Sequence, residues 1–584
     1  MLRPMPNFAE RADVVVAGGG LAGLCLARQL RRRLPDRAIV VVEPSQRPLP
    51  QACHKVGESS VELGSHYFGE VLGLAEYLDA EHLYKNGLRF FVGEPHDDLA
   101  ARTEIGPSRF PVVPSYQIDR GKFENDLRAM VEADGVRLLE GWKVTGVALG
   151  DDGARHRVTC EQGDRSLRIE TRWFVDATGR RRLLARKLGL GRPSPIASSA
   201  AWFRVAERVD PAELVAPSST AFLRRDPEGQ RWLSTVHLCG EGYWVWIIPL
   251  STGHTSIGIV ADPMHRFEDF ASPDGARRFL EVHEPALAAR LAGTPMADFG
   301  RIKHYAHECA WTLGSDRVAL VGEAGRFVDP LYSPGSDLIA FANCFAAELV
   351  ADDFEGAPDP ARVRALEWMH AAWAADTTTM LADTARVLAT PEVFAAKVVW
   401  DFWIYWAFAC QYFFQGLYRL RGADHGVFER HARAFYERNR RAQVLFRDWA
   451  READTRGRGD FVGAPLFPSF AADRHLDLVP GKTPEETDRL FAGLLGEADE
   501  ILDELAGRAL RTVAPAAARR LRSAWTERGI VRPASSSRLS VETLSGAKRR
   551  KALPKVARDV ERILGRIDRT APALADVWAP TPAP

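Results

Sequence analysis

This 584-residue chain has no excess of charge of either sign: 77 basic side chains balance 77 acidic ones. The basic footprint of a nucleic-acid binder is therefore missing. Cysteine is sparse and scattered. The seven thiols, at positions 25, 53, 160, 239, 309, 344 and 410, form no Cys-x-x-Cys pair. That spacing excludes a zinc ribbon or a disulfide frame, no metal site is expected, and the thiols read as reduced ones of a cytoplasmic protein. Near the start, Arg3, Glu10 and Arg11 stand where a secretory signal would need an apolar core, so no signal peptide is expected. Membrane-length apolar runs are missing as well. The run Phe402 to Cys410 is bounded by Asp401 and Gln411 and is too short to span a bilayer. What remains is a soluble enzyme-like composition with room for roughly three or four domains.

The first feature with chemistry in it is a glycine cluster. Asp13-Val14-Val15-Val16-Ala17 has the β-branched character of a buried parallel strand. It runs into Gly18-Gly-Gly20-Leu-Ala-Gly23, and Leu24 to Arg33 continues with helical spacing. Gly18 allows the tight turn, Gly20 lets the backbone approach a pyrophosphate, and Gly23 lets helix and strand pack closely. Helix-start amides suit the phosphates. A second strand, 38–42, leads to Glu43, placed to accept hydrogen bonds from a ribose hydroxyl. Together these predict a bound dinucleotide.

Later segments identify which one. Tyr116-Gln-Ile-Asp119-Arg120 to Leu127 is similar to the segment of glutathione-reductase-type FAD proteins whose arginine lies near the cofactor. The alternative reading is a surface helix start capped by Asp119. Strand patterns at 136–139, 143–149, 156–160 and 167–175, with turns at Asp151-Asp-Gly and Gln162-Gly-Asp, form a small meander feeding Asp176-Ala-Thr-Gly179. Val318 to Val321 is a strand ending in Gly322-Glu323, where FAD proteins usually carry Gly-Asp against the ribityl chain; Glu323 is one methylene longer. The expected cofactor is FAD. No second glycine fingerprint follows, so no nicotinamide domain of its own is expected.

A β-rich stretch follows at 195–310, with strands at 202–205, 232–238, 242–249 and 255–260. It contains Trp244-Val-Trp246-Ile-Ile248-Pro249. Two tryptophans one residue apart share a strand face and would ordinarily be core. The full Trp-x-Trp-x-Ile-Pro string, after the glycine fingerprint, resembles the signature of flavin-dependent halogenases, and the resemblance covers about residues 10–350. It implies that Trp244 and Trp246 keep substrate from the flavin, and that reduced FAD arrives from a separate flavin reductase. It also implies that chloride or bromide is oxidised to hypohalous acid and that this reaches a lysine which, together with the two indoles, lies on the far side of a closed passage from the isoalloxazine. After Gly57-Glu58-Ser59-Ser60, the matching lysine is Lys85 in Tyr84-Lys85-Asn-Gly87, with Lys55 as a rival. An ammonium there can hydrogen-bond the acid, or form a chloramine if burial lowers its pKa.

Asp329-Pro330-Leu-Tyr332-Ser333-Pro334-Gly335-Ser336 resembles the family's halide loop, with Ser333, Gly335 and Ser336 as the matching halide residues. Two departures stand out. Tyr332 replaces the glutamate of tryptophan halogenases, which points to the phenol, pyrrole and aliphatic branches. Pro334 has no N–H to offer halide, which weakens or displaces that site.

The predicted architecture is α/β. A glutathione-reductase-type Rossmann domain spans 1–195 and 311–355, a β-sheet substrate domain 196–310, and a helical C-terminal region 356–570, before a Pro/Ala tail at 571–584. The aromatic segment 398–415 predicts a buried helix packing on the FAD domain, with a substrate-channel wall or a membrane-surface element as the alternatives. Lys548-Arg-Arg-Lys551, Lys555, Arg558, Arg562 and Arg566 form a basic helix face, a solvated surface or a docking face for an acidic carrier protein. The leading expectation is halogenation of an electron-rich aromatic or a carrier-tethered substrate. A hydroxylase or dehydrogenase that lost halide binding, and an inactive flavin-bound partner protein, are the alternatives.

Overall fold

The computed structural model describes residues 9–151, 153–456, 459–463, 469–531 and 554–565. Among the described residues, two eight-stranded sheets, two small two-stranded ones and a helical layer make up the fold. In the first sheet, Ala9–Ala17 pairs in parallel with Ile39–Glu43 on one side and Arg165–Asp176 on the other. Val14 and Val16 point into one core, Val15 and Ala17 into another, so the strand is buried on both faces. Val318–Leu320 extends the sheet beyond Arg165–Asp176, and Arg137–Glu140 beyond Ile39–Glu43. The predicted meander is present: Lys143–Ala148 pairs with His156–Gln162, which pairs with Arg165–Asp176.

The glycine turn is forced by close approach. Gly18 has φ +110°, and a Cβ there would stand 2.3 Å from the carbonyl oxygen of Ala177. A Cβ on Gly23 would lie 2.0 Å from the Gly18 oxygen, so the helix Leu21–Arg33 can rest on the strand only if residue 23 has no side chain. At Gly20 a Cβ would meet only the Lys55 ammonium, at 3.6 Å. Protein packing does not demand glycine there, which leaves ligand approach as its use.

The second sheet runs in the order Gly300–Ile302, Ser199–Val205, Thr255–Ala261, Tyr243–Pro249, Thr235–Gly240, Leu88–Val92, Thr103–Ile105 and Phe461–Val462. It thus extends past the predicted 196–310 stretch at both ends of the chain. Leu88–Val92 joins Thr235–Gly240 in parallel, and Phe461–Val462 covers the edge of Thr103–Ile105. The C-terminal region is therefore not wholly helical: it caps an edge strand whose polar groups would otherwise stay unpaired. Strands of two or three residues carry no periodic signal, which is why the sequence pattern misses them.

The helical layer includes Pro360–Leu381, Gly422–Ala450 and Pro484–Thr512. The aromatic segment is a helix from Pro391 to Ile404 that continues through a π-helical stretch, Tyr405–Cys410, to Phe414. Residues 391–414 are long and apolar enough to cross a membrane, but they are buried inside the protein, with Trp400 and Trp403 at 0% exposure. The expected buried helix is what forms. Lys548, Arg549, Arg550, Lys551, Arg566 and the tail 571–584 lie outside the described residues. In the helix Lys555–Leu564, Val556, Val560 and Ile563 face the core, while Lys555 pairs with Asp473 at 2.7 Å.

Glu104 ties the second sheet together. It is fully buried and takes Arg89 at 2.5 Å and Arg231 at 2.8 Å, and these cations hold its carboxyl below the usual range. Glu104→Gln leaves two buried guanidinium groups short of charge and should cost about 3–5 kcal/mol in urea unfolding at neutral pH. Because the folded-state pKa is depressed, this contribution is present above the unfolded value of 4.5 and is lost as pH falls through the folded one. The gap between wild type and variant should therefore close in acid.

Candidate active site

Between the two sheets lies an open cleft of about 1380 Å³. Leu21 at the start of the first helix, Arg120, Gly322-Glu323 and the loop from Phe327 to Ser336 contribute to it, so three of the FAD-type segments converge on one space. The residues present fit the cofactor. No side chain caps the Leu21 helix start, a Cβ at Gly20 would meet no protein atom but the Lys55 ammonium, and the buried Nε of Arg120 has no partner. Arg120 otherwise donates to Val56 O at 2.9 Å and pairs with the buried Glu124.

Not every predicted cofactor contact is free. One Glu43 oxygen accepts from the Gly19 amide at 2.6 Å, and the other accepts from the amide and hydroxyl of Ser45. Its carboxylate thus braces the glycine turn, which is a use the ribose assignment did not anticipate. Glu323 lines the cleft but turns to Arg180 at 3.4 Å. Arg180, unmarked by any sequence motif, also lines the cleft.

Lys85 follows the short strand Leu83–Tyr84 and has 0% exposure. Its amide donates to Ser115 O at 2.8 Å, and its ammonium donates to Ser59 Oγ at 2.9 Å and to Ser60 O at 2.6 Å. Burial lowers its pKa to about 7, although the nearby carboxyls of Glu62 and Asp337 oppose the shift. Those two carboxyls are themselves raised by burial, Asp337 to about 8. Ser59 sits at a junction. Its hydroxyl shares a 2.8 Å hydrogen bond with Thr235 and accepts one from Ser333 Oγ at 3.0 Å. Ser59, Thr235 and Ser333 all line the cleft. The Ser59-Ser60 segment, which lines the cleft, therefore also holds the lysine, and the lysine faces a separate small cavity of about 310 Å³. The rival Lys55 is half exposed and pairs with Glu124 at 2.9 Å, near the glycine turn and away from this junction.

The two indoles are on the same strand face, with ring centres 5.8 Å apart, but on the cleft side. This corrects the expected grouping of indoles and amine on one side of a passage. The strand's period of two sends Trp244 and Trp246 toward the cleft and Tyr243 and Val245 into the opposite core. Trp246 lies over Gly258, where a Cβ would meet its ring at 2.1 Å, and donates to Ser256 Oγ at 3.1 Å. His237, between Phe90 and Trp244, is a cleft residue the sequence did not mark. Burial takes its pKa down to about 3, so it is neutral.

In the loop before the helix Gly335–Phe354, Tyr332 and Ser333 hold φ values of +68° and +61°, which is strained for residues with side chains. Ser333 offers no free amide, because it donates to Pro330 O at 2.9 Å, and its hydroxyl is used on Ser59. Pro334 is the N-cap, with no side-chain cap over the first-turn amides of Gly335 and Ser336. The Ser336 hydroxyl is buried without a partner. Of the predicted halide residues, Gly335 and Ser336 keep free donors and Ser333 does not.

The fold is a Rossmann-type α/β layer with a second sheet over its cleft, the architecture shared with solved flavin-dependent halogenases. Residues 97–363 match the tryptophan halogenase family. The flavin-dependent halogenase chlA of Dictyostelium discoideum is 27% identical over 57% of this chain and 59% of that protein. The chain thus spans under two thirds of that relative's length. The 1H-pyrrole-2-carbonyl-[peptidyl-carrier protein] chlorinase of Pseudomonas fluorescens is 26% identical over 55% of this chain and 72% of that protein. Among solved structures, halogenase PltM superposes with a TM-score of 0.59 at 17% identity, covering 84% of this chain and 96% of that one. The myxobacterial chondrochloren halogenase CndH gives 0.53 at 22%, covering 65% and 83%. Over residues 97–363 the chain is thus similar to the tryptophan halogenase family, and the two relatives named are a flavin-dependent halogenase and a carrier-protein chlorinase by their own names.

Ser59→Ala removes one partner each from Lys85, Thr235 and Ser333. It should cost about 1–3 kcal/mol in thermal unfolding with FAD content unchanged.

Proposed function

We propose that this protein is a FADH2-dependent halogenase of electron-rich aromatic substrates, with Lys85 as the residue that carries the electrophile. The observation that supports this most is the junction at Ser59: a fully buried lysine is hydrogen-bonded to a hydroxyl that lines the cleft and also meets the Asp329–Ser336 loop. Bound reduced FAD, with oxygen, supplies the oxidising equivalents that turn halide into hypohalous acid. The chain's own groups do the rest. The Gly335 and Ser336 amides and the unpartnered Ser336 hydroxyl offer donors to a halide anion. Trp244 and Trp246 fill the sheet side of the cleft and keep a substrate ring out of it. Two protons of the Lys85 ammonium are committed to Ser59 and Ser60, which leaves a third for the acid.

Supply of reduced flavin by a separate reductase, instead of transient NADPH binding, is what the likeness to flavin-dependent halogenases supports. A carrier-tethered substrate, as in the printed name of the Pseudomonas relative, is a second substrate form worth testing. A cytoplasmic setting agrees with free thiols at all seven cysteines.

Lys85→Ala should lower halogenation by about 10²–10⁴-fold while flavin absorbance of the purified protein is unchanged. Hydroxylated product without halogen, indifferent to this change, would overturn the proposal. Because the ammonium is the donor, halogenation by the wild type should fall as pH rises through about 7. Pro334→Ser restores an amide at the loop and should lower the halide concentration needed for half-maximal rate.

A further inference from the structure

The helical layer holds a buried ion pair that no step of the proposed chemistry uses. Lys397 and Asp401 stand one turn apart on the helix Pro391–Ile404, 2.7 Å from each other, with side chains 0% and 1% exposed. All three ammonium protons are placed: on Asp401, on Met380 O at 2.8 Å and on Gln443 Oε1 at 2.6 Å. Gln443, from the helix Gly422–Ala450, donates in turn to Asp401 Oδ1 at 2.8 Å and to Asn439 Oδ1 at 2.9 Å. The carboxylate is thus fixed on both oxygens, by Gln443 on one and Lys397 on the other. A pair taken so far out of water gains little or no stability over apolar side chains of similar volume, and what it can offer instead is a defined position.

Tyr332 is what uses that position. Its hydroxyl is directed at the Asp401 carboxylate and interacts with it. Its ring meets Phe90 of the second sheet edge-on at 5.8 Å and Phe402, the residue after Asp401, at 5.6 Å. The backbone there is strained: Tyr332 and Ser333 are consecutive left-handed residues, at φ +68° and +61°, and neither is a glycine. Such a loop keeps its shape only while its surroundings hold it. Ring contacts set a distance but let the rings slide, whereas a hydrogen bond to a fixed, charged acceptor also sets a direction.

We infer that the Lys397–Asp401 pair is a clamp on Tyr332, one that positions the Asp329–Ser336 loop from the helical layer. Tyr332, Asp401 and Lys397 are positioning residues. What they place is the Ser333 hydroxyl on Ser59 and the open donors of Gly335 and Ser336. That those donors take halide rests on the function proposed above. A loop that lines the flavin cleft is in this way shaped by helices far downstream in the chain.

Hydrogen exchange in the FAD-loaded enzyme tests the clamp on three hydrogen-bonded loop amides: Leu331 to Asp329, Ser333 to Pro330 O and Leu338 to Pro334 O. Tyr332→Phe keeps the ring and removes the hydroxyl. It should speed exchange at these amides about tenfold, the worth of one hydrogen bond to a charged group, and leave the amides of Val14 to Val16 unchanged. Replacing the pair together, Lys397→Met with Asp401→Leu, leaves no unpaired charge and should speed the same amides equally. Adding Tyr332→Phe to that double variant should change nothing further, since the three residues act as one unit. If the double variant does not fold, Tyr332→Phe decides alone. Unchanged exchange in Tyr332→Phe, or effects that add in the triple variant, would overturn the clamp. Saturable quenching of the bound flavin's fluorescence by bromide then reads the donors: Tyr332→Phe should weaken the bromide Kd about tenfold with the FAD Kd unaltered. An unaltered bromide Kd beside faster exchange would overturn the placing of the donors. No bromide binding by the wild type, with the faster exchange present in Tyr332→Phe, would remove the halide role and leave the clamp standing.

Discussion

The site depends on the burial of one ammonium group. A lysine with 0% exposure can be tolerated only if its protons find oxygen acceptors, and Ser59 and Ser60 provide them from a segment that faces the cleft on its other side. Satisfying Lys85 therefore fixes where the Ser59 hydroxyl points, and that hydroxyl in turn holds Thr235 of the second sheet and Ser333 of the loop. Elements from three parts of the chain are tied together because one charge has been taken out of water.

Glycines and indoles then set how closely the layers approach. Gly23 against Gly18 seats the first helix on its strand, and Gly258 makes room for the Trp246 ring within the second sheet. Gly64 does the same between helices: a Cβ there would stand 2.2 Å from the Ser336 hydroxyl oxygen. The start of the helix Gly335–Phe354 is consequently locked against the segment that carries Ser59 and Ser60. Strain in the preceding loop, at Tyr332 and Ser333, is held by this packing on both sides.

The helical layer closes the lysine off from solvent. Phe402 and Trp406 line the Lys85 cavity, and Tyr405 binds Asp337 and the Leu63 amide. The π-helical stretch that begins at Tyr405 shifts the helix register where these contacts are made. A region with no family motif of its own thus supplies part of the wall around Lys85.

The Rossmann start, the meander and the Trp-x-Trp strand were all legible in the sequence, because each depends on local spacing: a period of two, a glycine turn, or a short motif. The edge strand Phe461–Val462, the bracing of Glu43 by Gly19, the commitment of Ser333 to Ser59 and the neutral His237 were not, since each depends on partners distant in the chain. By itself the sequence determined the cofactor class and the order of the elements that carry it. Only the tertiary structure decided that the indoles and the amine lie on opposite sides of the Ser59-Ser60 segment, because the side of a strand or loop that meets a cavity is set by what packs against its other face.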